Sequence, residues 1–248
     1  MGAAGRSLGR GGDIQGTLRA KKVVVIGGSS GIGFAVAKAA QDAEAMVVVG
    51  SSRAANVESA VQRLGAAAEG SVVDVTNEGD VASFFERVGP FDHLVFTAGD
   101  WDAPPVEWDI ARAQAVLAVR FWGALTAIKH CRGSITEGGS ITLTDGVIAH
   151  RPRKGAAVTT AMAGALEHLT RGLAVDLAPV RVNAVCPGLV LTEAVKNVPE
   201  EQLRQMTKRL PLPRAGAPAE IAEAYLYLMR GTYTTGQVLR VDGGYTLI

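Results

Sequence analysis

The chain has little of what holds small or aromatic-rich proteins together. Aromatic residues make up 5% of its 248 positions, and it has two cysteines, Cys131 and Cys186. Two isolated cysteines suggest no disulfide framework, so a reducing compartment and a cytoplasmic location are expected. Charge of either sign is not in excess: 25 Lys and Arg face 24 Asp and Glu, for a net +1. That balance removes the electrostatic case for nucleic acid or an acidic membrane surface as partner. No apolar run approaches the roughly 20 residues needed to cross a bilayer. The four histidines, His93, His130, His150 and His168, show no metal-ligand spacing, and His130 beside Cys131 reads as helix surface, so no metal is expected. No tyrosine occurs before Tyr225.

The chain is rich in small aliphatics. Hydrophobic residues reach 48% with few rings among them, so the core is built from Val, Ala, Leu and Ile, as suits parallel strands buried on both faces. Strand patterns fall near 22–26, 46–50, 70–73, 92–96, 139–143, 180–185 and 237–241. Amphipathic stretches fall between them near 31–44, 54–64, 78–88, 107–131, 156–178 and 217–230. This alternation predicts α/β architecture: one Rossmann-type, doubly wound parallel sheet of about seven strands with helices on both faces. Residues 21–248 form that single domain. Residues 1–20, rich in Gly and Arg and without periodicity, read as a mobile tail. The tail has no apolar h-region of a secretory signal, and Arg6 stands where myristoylation wants Ser or Thr.

Residues 23–33, VVVIGGSSGIG, are the most informative stretch. A β-branched run breaks through glycines into an apolar helix. Such a helix N-terminus points unpaired N–H groups and the positive end of its dipole at an anion. Gly27, Ser29, Ser30, Gly31, Ile32 and Gly33 therefore form a candidate dinucleotide seat, with glycine needed where the backbone approaches a pyrophosphate. Ser51, Ser52 and Arg53 follow the second strand with no acid among them. Hydroxyls and a guanidinium suit the 2′-phosphate of NADP(H), whereas an acid would suit the ribose hydroxyls of NAD. The alternative is a solvated cap for the helix beginning at 54.

With these motifs in view, residues 20–248 resemble a short-chain dehydrogenase/reductase. The glycine motif has that family's GxxxGIG spacing. SVVDVT (71–76) resembles its third-strand segment, which implies that Asp74 meets the adenine amine with the backbone of Val75 nearby. FTAG (96–99) stands where the family usually has NNAG, placing Thr97, Ala98 and Gly99 at the cofactor. RVNAVCPGLVLT (181–192) matches the PG segment, so Pro187, Gly188, Val190 and Thr192 are implied to border the nicotinamide and pyrophosphate. TGQVLRVDGG (235–244) resembles the last strand and its turn.

The departures are as telling as the matches. The family normally works with Asn, Ser, Tyr and Lys. Matching the flanking motifs puts Arg120 at the Asn position, Gly146 at the Ser position, Thr159 at the Tyr position and Ala163 at the Lys position. No shift of register restores a Tyr, because none precedes 225. The Tyr–Lys pair is needed where ketone reduction develops an alkoxide. An iminium is already cationic, and hydride addition neutralises it, so an acid is not essential. A conjugated enone can be polarised by a guanidinium. Arg120, Asp145 and Thr159 are the catalytic candidates, with Asp100 and Asp102 as further strand-end carboxylates. VRFWG, SITLTDG and LTRGLAVDLAPVRVN also resemble a fungal branch of the family, tetrad-less NADPH-dependent reductive cyclases that carry Arg at the Arg120 position. Arg153 stands where that branch would have an acid.

Plainer readings stand beside these. Arg120 is otherwise a helix-face charge, and Asp145 a cap for the turn after strand five. His150, Arg151, Arg153 and Lys154 form either a solvated loop or a clamp for an acidic substrate. Trp122 is expected to pack, while Trp101 and Trp108 are candidates for a pocket wall. Segment 189–215, holding a charged helix at 197–209, is the expected lid. The reading is an NADP(H)-dependent oxidoreductase acting on a small molecule; the alternative is an inactive NADP(H)-binding sensor or structural subunit. By resemblance, the chain pairs as a homodimer or homotetramer through the helices at 107–131 and 156–178.

Overall fold

The computed structural model describes residues 17–99 and 110–248. Its strands are β1 (Lys22–Ile26), β2 (Met46–Ser51), β3 (Ala68–Val72), β4 (Phe91–Phe96), β5 (Ile135–Thr144), β6 (Arg181–Pro187) and β7 (Val238–Val241). Its helices are α1 (Gly31–Asp42), α2 (Ala54–Leu64), α3 (Glu78–Val88), α4 (Ile110–Leu117), α5 (Gly123–Cys131), α6 (Ala157–Asp176), α7 (Glu200–Thr207) and α8 (Pro218–Arg230). All strand pairs are parallel, and the sheet runs β3-β2-β1-β4-β5-β6-β7.

The valine runs explain why both faces are covered. Val23 and Val25 of β1 pack into one cluster with α1, α2 and α8, through Val36, Ala40, Ala60 and Tyr225. Val24 and Ile26 point the other way, into a cluster with α3, α5 and α6, through Phe84, Ala127 and Leu166. Strand side chains alternate faces, so a strand apolar at every position needs a helix layer on each side. β1 lies between β2 and β4, and the chain reverses its direction of travel across the sheet there. The crevice at the carboxyl ends of β1 and β4 is thus the topological switch point, where ligands of such sheets bind.

Two boundaries differ from the sequence reading. The expected tail reaches too far: Leu18 is buried, its N–H donates to the Ala43 carbonyl, and Thr17 Oγ1 donates to the same oxygen. One apolar residue on the α1 side of the core outweighs the Gly-rich composition around it. The remaining tail residues, 1–16, lie outside the described residues. The long helix expected at 107–131 is interrupted at Ala118–Trp122 by a π-helical turn joining α4 to α5. Trp122, expected to pack, is instead 60% exposed and meets Phe121 edge-on at 5.2 Å, because the extra residue of the π turn rotates it outward.

β4 also carries a pH-sensitive group. His93 is buried, and its Nδ1 lies 2.9 Å from Ser140 Oγ. Burial pushes its pKa down to about 4, so the folded chain keeps it neutral where an unfolded chain would protonate it. Stability from this group is therefore present above the unfolded value of 6.5 and lost as pH falls through the folded value of about 4. The loss should reach about 3 kcal/mol by pH 4. Denaturant unfolding at pH 7 and pH 4 should show His93→Gln losing less stability than the parent; parallel losses would refute the assignment.

Candidate active site

The glycine loop is shaped by contacts that leave no space for side chains. Gly27 has φ +86°, and a Cβ there would lie 2.5 Å from Ala98 N. A Cβ on Gly33 would lie 2.3 Å from the Gly27 carbonyl oxygen and 2.4 Å from Thr97 Oγ1. The first turn of α1 is thereby pressed against the ends of β1 and β4. Thr97 reinforces the closure, donating from its backbone N–H to Ile26 O at 2.8 Å. Ala98 and Gly99 follow it, so the TAG segment forms one wall of the crevice.

The N-terminus of α1 already holds an anion. Glu193 Oε2 accepts from the Gly31 N–H at 3.1 Å. A carboxylate is the kind of group that the unpaired N–H groups and dipole of a helix N-terminus favour. Ser30 is extended at the helix cap, and its side chain makes no capping hydrogen bond, while Ile32 packs back onto the core. Thr192 stands across the loop, its Cγ2 3.3 Å from where a Gly31 Cβ would be. The PG segment reaches this point from β6: Pro187 ends the strand, Gly188 N–H donates to Val241 O at 3.0 Å, and Val190 bridges to Gly216. An open groove of about 500 Å³ lies alongside, walled by Gly31, Phe34, Arg63, Leu191, Thr192 and Leu203. It is on the phosphate side of the crevice; Arg120, Asp145 and Thr159 do not line it.

The residues expected on the adenosine side follow β2 and β3. Ser29 Oγ donates to Ser51 Oγ at 3.0 Å, tying the glycine loop to the end of β2. Ser52 and Arg53 are exposed at the start of α2, with Arg53 at its cap. Asp74 follows β3 and accepts from Thr76 N and Thr76 Oγ1, which fixes the turn before α3; Val75 is buried against Gly123.

On the opposite side of the crevice, the π turn places Arg120. Its residue is 5% exposed, and its guanidinium donates through Nη2 to the Gly99 carbonyl. The side chain's Cγ would meet a Gly99 Cβ at 2.8 Å, so glycine is required for Arg120 to lie there. A π turn inside an α-helix is a frequent device for turning one residue toward a functional site. Thr159 and Ala163 lie on the buried stripe of α6.

Asp145 is not the turn cap that one reading offered. It is fully buried, and neither carboxylate oxygen has a hydrogen-bond partner. The Gly146 N–H, the Glu167 carboxylate and the Cys186 thiol lie close around it. Burial, reinforced by the neighbouring Glu167, holds its carboxyl well above the usual carboxylate range. Nearby, Tyr225 Oη and Thr144 Oγ1 are 2.7 Å apart, and Thr144 Oγ1 donates to Phe96 O. Desolvation raises the Tyr225 phenol, which sits in the core on α8 and not on α6.

The loop after β5 divides. His150 Nε2 contacts Glu167 Oε1. Arg151 Nη1 donates to the Tyr245 carbonyl at 3.0 Å, pinning the chain end, so it belongs to neither the solvated loop nor a free clamp. Arg153 and Lys154 are exposed. Cys131 faces the core, whereas His130 Nε2 lies 2.9 Å from Glu78 Oε1, so the two point apart. Asp100, Trp101, Asp102 and Trp108 lie outside the described residues.

Sequence reasoning missed Glu167 and Glu193. A signal for Glu167 was available: Met162, Ala163, Leu166, Thr170 and Leu173 recur at helical spacing, and Glu167 falls on their buried stripe. For Glu193 there was none, because its contact with Gly31 depends on how the segment after β6 crosses α1.

Comparison with known proteins gives the same picture. A family model described as enoyl-(acyl carrier protein) reductase matches residues 26–246. The chain is 38% identical to short-chain dehydrogenase/reductase ATR9 of Stachybotrys chlorohalonatus, over 92% of this chain and 98% of the relative. MalC reductase/Diels-Alderase from Malbranchea aurantiaca superposes with a TM-score of 0.88 at 31% identity, covering 95% of this chain and 100% of that one. A small-chain dehydrogenase crystallised in complex with NADPH superposes with a TM-score of 0.79 at 34% identity, covering 92% and 99%.

Proposed function

This chain belongs to the short-chain dehydrogenase/reductase family, and we propose that it is an NADP(H)-dependent reductase of an imine, iminium or conjugated substrate. The observation that carries the substrate class is the pair on α6: Thr159 and Ala163 occupy the positions that the resemblance assigns to a proton-donating Tyr and its Lys. Arg120, a buried cation, stands at the crevice instead. The cofactor fits the residues present. Gly27, Gly31 and Gly33 leave the cradle open, and the Glu193 carboxylate on Gly31 N–H marks an anion seat. A related chain was crystallised with NADPH.

When bound, NADPH supplies a hydride. Gly27–Gly33 would hold the pyrophosphate, with Glu193 swinging off Gly31. Ser51, Ser52 and Arg53 would hold the 2′-phosphate, and Asp74 with the Val75 backbone the adenine. Thr97, Ala98, Gly99, Pro187, Gly188, Val190 and Thr192 would border the nicotinamide half. Arg120 is the group that orients or polarises the substrate. Thr159 offers a hydroxyl that accepts or donates a hydrogen bond but does not ionise near neutral pH. Asp145 lies behind the cleft beside Glu167 as a carboxyl that burial keeps protonated, a hydrogen-bonding group more than a charge.

Ketone reduction leaves an oxyanion that must be protonated and stabilised, and among the described residues no phenol stands on α6 for that task. Reduction of an iminium removes charge and makes no such demand. Small residues on α6, with Ile110 and Trp122 exposed on α4 and the π turn, support pairing of two or four copies through these helices.

The test is NADPH oxidation followed in parallel with simple ketones, enones and cyclic imines, with NADH as the comparison. Turnover is expected with imines or enones, on NADPH in preference to NADH. Ordinary rates on simple ketones would overturn the substrate class. Saturable NADPH binding without turnover of any of them would replace the reductase with a sensor.

A further inference from the structure

Behind the crevice, four elements bring together groups that no part of the reductase reading requires in combination. Asp145 follows β5, His150 closes the short turn after it, Glu167 lies on α6 and Cys186 on β6. One ligand atom from each falls within 4.8 Å of every other. Asp145, Glu167 and Cys186 are buried, and both oxygens of Asp145 are unpartnered there. A buried carboxyl without a donor either keeps its proton or needs something cationic to meet it. The cations nearest the group are outside the cluster: Arg171 Nη2 lies 3.4 Å from the other oxygen of Glu167, and Arg240 acts on Cys186 from β7.

We propose that Asp145, His150, Glu167 and Cys186 form a zinc(II) site. Four ligands offering nitrogen, sulfur and oxygen suit a borderline-soft d¹⁰ ion with no oxygen-only preference. Tetrahedral bonds of 2.0–2.3 Å set ligand atoms about 3.3–3.8 Å apart, so the widest pair closes by about 1–1.5 Å, while His150 Nε2 and Glu167 Oε1, already in contact, move apart. Coordination releases two protons to solvent, one from the Cys186 thiol and the one that Asp145 and Glu167 share, with no change in oxidation state. Three anionic ligands around one zinc keep a net charge of −1, which Arg171 and Arg240 are placed to offset. The ion would tie β5, β6 and α6 together beneath the substrate side. His150, on the solvent side, gives an entry path.

The proposal goes beyond the reductase reading and is tested apart from it, on the full chain stripped with chelator and titrated with Co²⁺ and then Zn²⁺. One equivalent of Co²⁺ per chain is expected, with thiolate-to-cobalt charge transfer and the visible bands of a tetrahedral ion, all displaced by Zn²⁺. The spectrum should persist in Cys131→Ser and vanish in Cys186→Ser, and Glu167→Gln should weaken Co²⁺ binding by at least about tenfold. If Cys186→Ser does not fold, protection of the Cys186 thiol from alkylation by Zn²⁺ in the parent chain reads the same bond. No thiolate band, or an unchanged spectrum in Cys186→Ser, overturns the site and leaves a carboxyl pair sharing one proton. NADPH affinity is measured alongside, so loss of the zinc proposal does not touch the cofactor reading.

Discussion

Arg120→Ala is expected to lower kcat by about 100-fold while leaving NADPH affinity within about threefold, since removing one positioned donor from a reacting centre typically costs two to three powers of ten. The side chain is buried, its guanidinium is held on the Gly99 carbonyl, and the π turn Ala118–Trp122 carries it. That hold on Gly99 lies on the side of the crevice away from the groove beside Gly31, so binding and turnover should separate. Steady-state kinetics on the best imine or enone substrate, with NADPH affinity measured by fluorescence titration, distinguish the two. Equal loss of both would reassign Arg120 to holding the dinucleotide. Arg120→Lys is the companion variant: it keeps the charge but loses the planar fork, so partial recovery would mark charge as the larger part of the effect.

Gly33→Ala should be nearly as damaging, by a different route. The added methyl would meet the Gly27 carbonyl oxygen at 2.3 Å and Thr97 Oγ1 at 2.4 Å. The first obstacle is backbone, so the glycine loop itself must shift. Overpacking of this kind costs about 1–3 kcal/mol, and the shift falls on the N–H groups that would hold the pyrophosphate. We expect a fall in melting temperature together with at least a tenfold loss of NADPH affinity. Gly172→Ala is the control: nothing lies within 4 Å of its added methyl in mid-α6. There alanine should stabilise by about 0.5–1 kcal/mol through helix propensity alone. If both variants bound NADPH like the parent, the packing argument for the cradle would fail.

Much of this was readable in one dimension. The valine runs and the apolar stripes between them gave seven strands within a few residues of their observed bounds, because periods of 2 and 3.6 are local properties. The glycine loop was readable for the same reason, since strand, turn and helix follow one another directly. Gly27 at φ +86° and the crowded Gly33 are positions where any Cβ would be strained or would force the backbone to shift. Leu18 was misread because composition speaks for the segment as a whole, whereas one side chain in a core cavity decides its placement. Trp122 was misread because a π turn changes the period for a single turn, and periodicity assumes it constant.

The amino-acid order alone determined the doubly wound sheet, the glycine turn after β1 and the absence of a phenol from α6. Tertiary structure alone decided which side chains meet. Thr144 pairs with Val185, and Asp145 N–H donates to Val185 O, so parallel register sets Asp145 level with Cys186. Glu167 joins them from a helix that crosses between those strands. Such meetings depend on the register of strands separated by some 40 residues of crossover, and no local period carries that information.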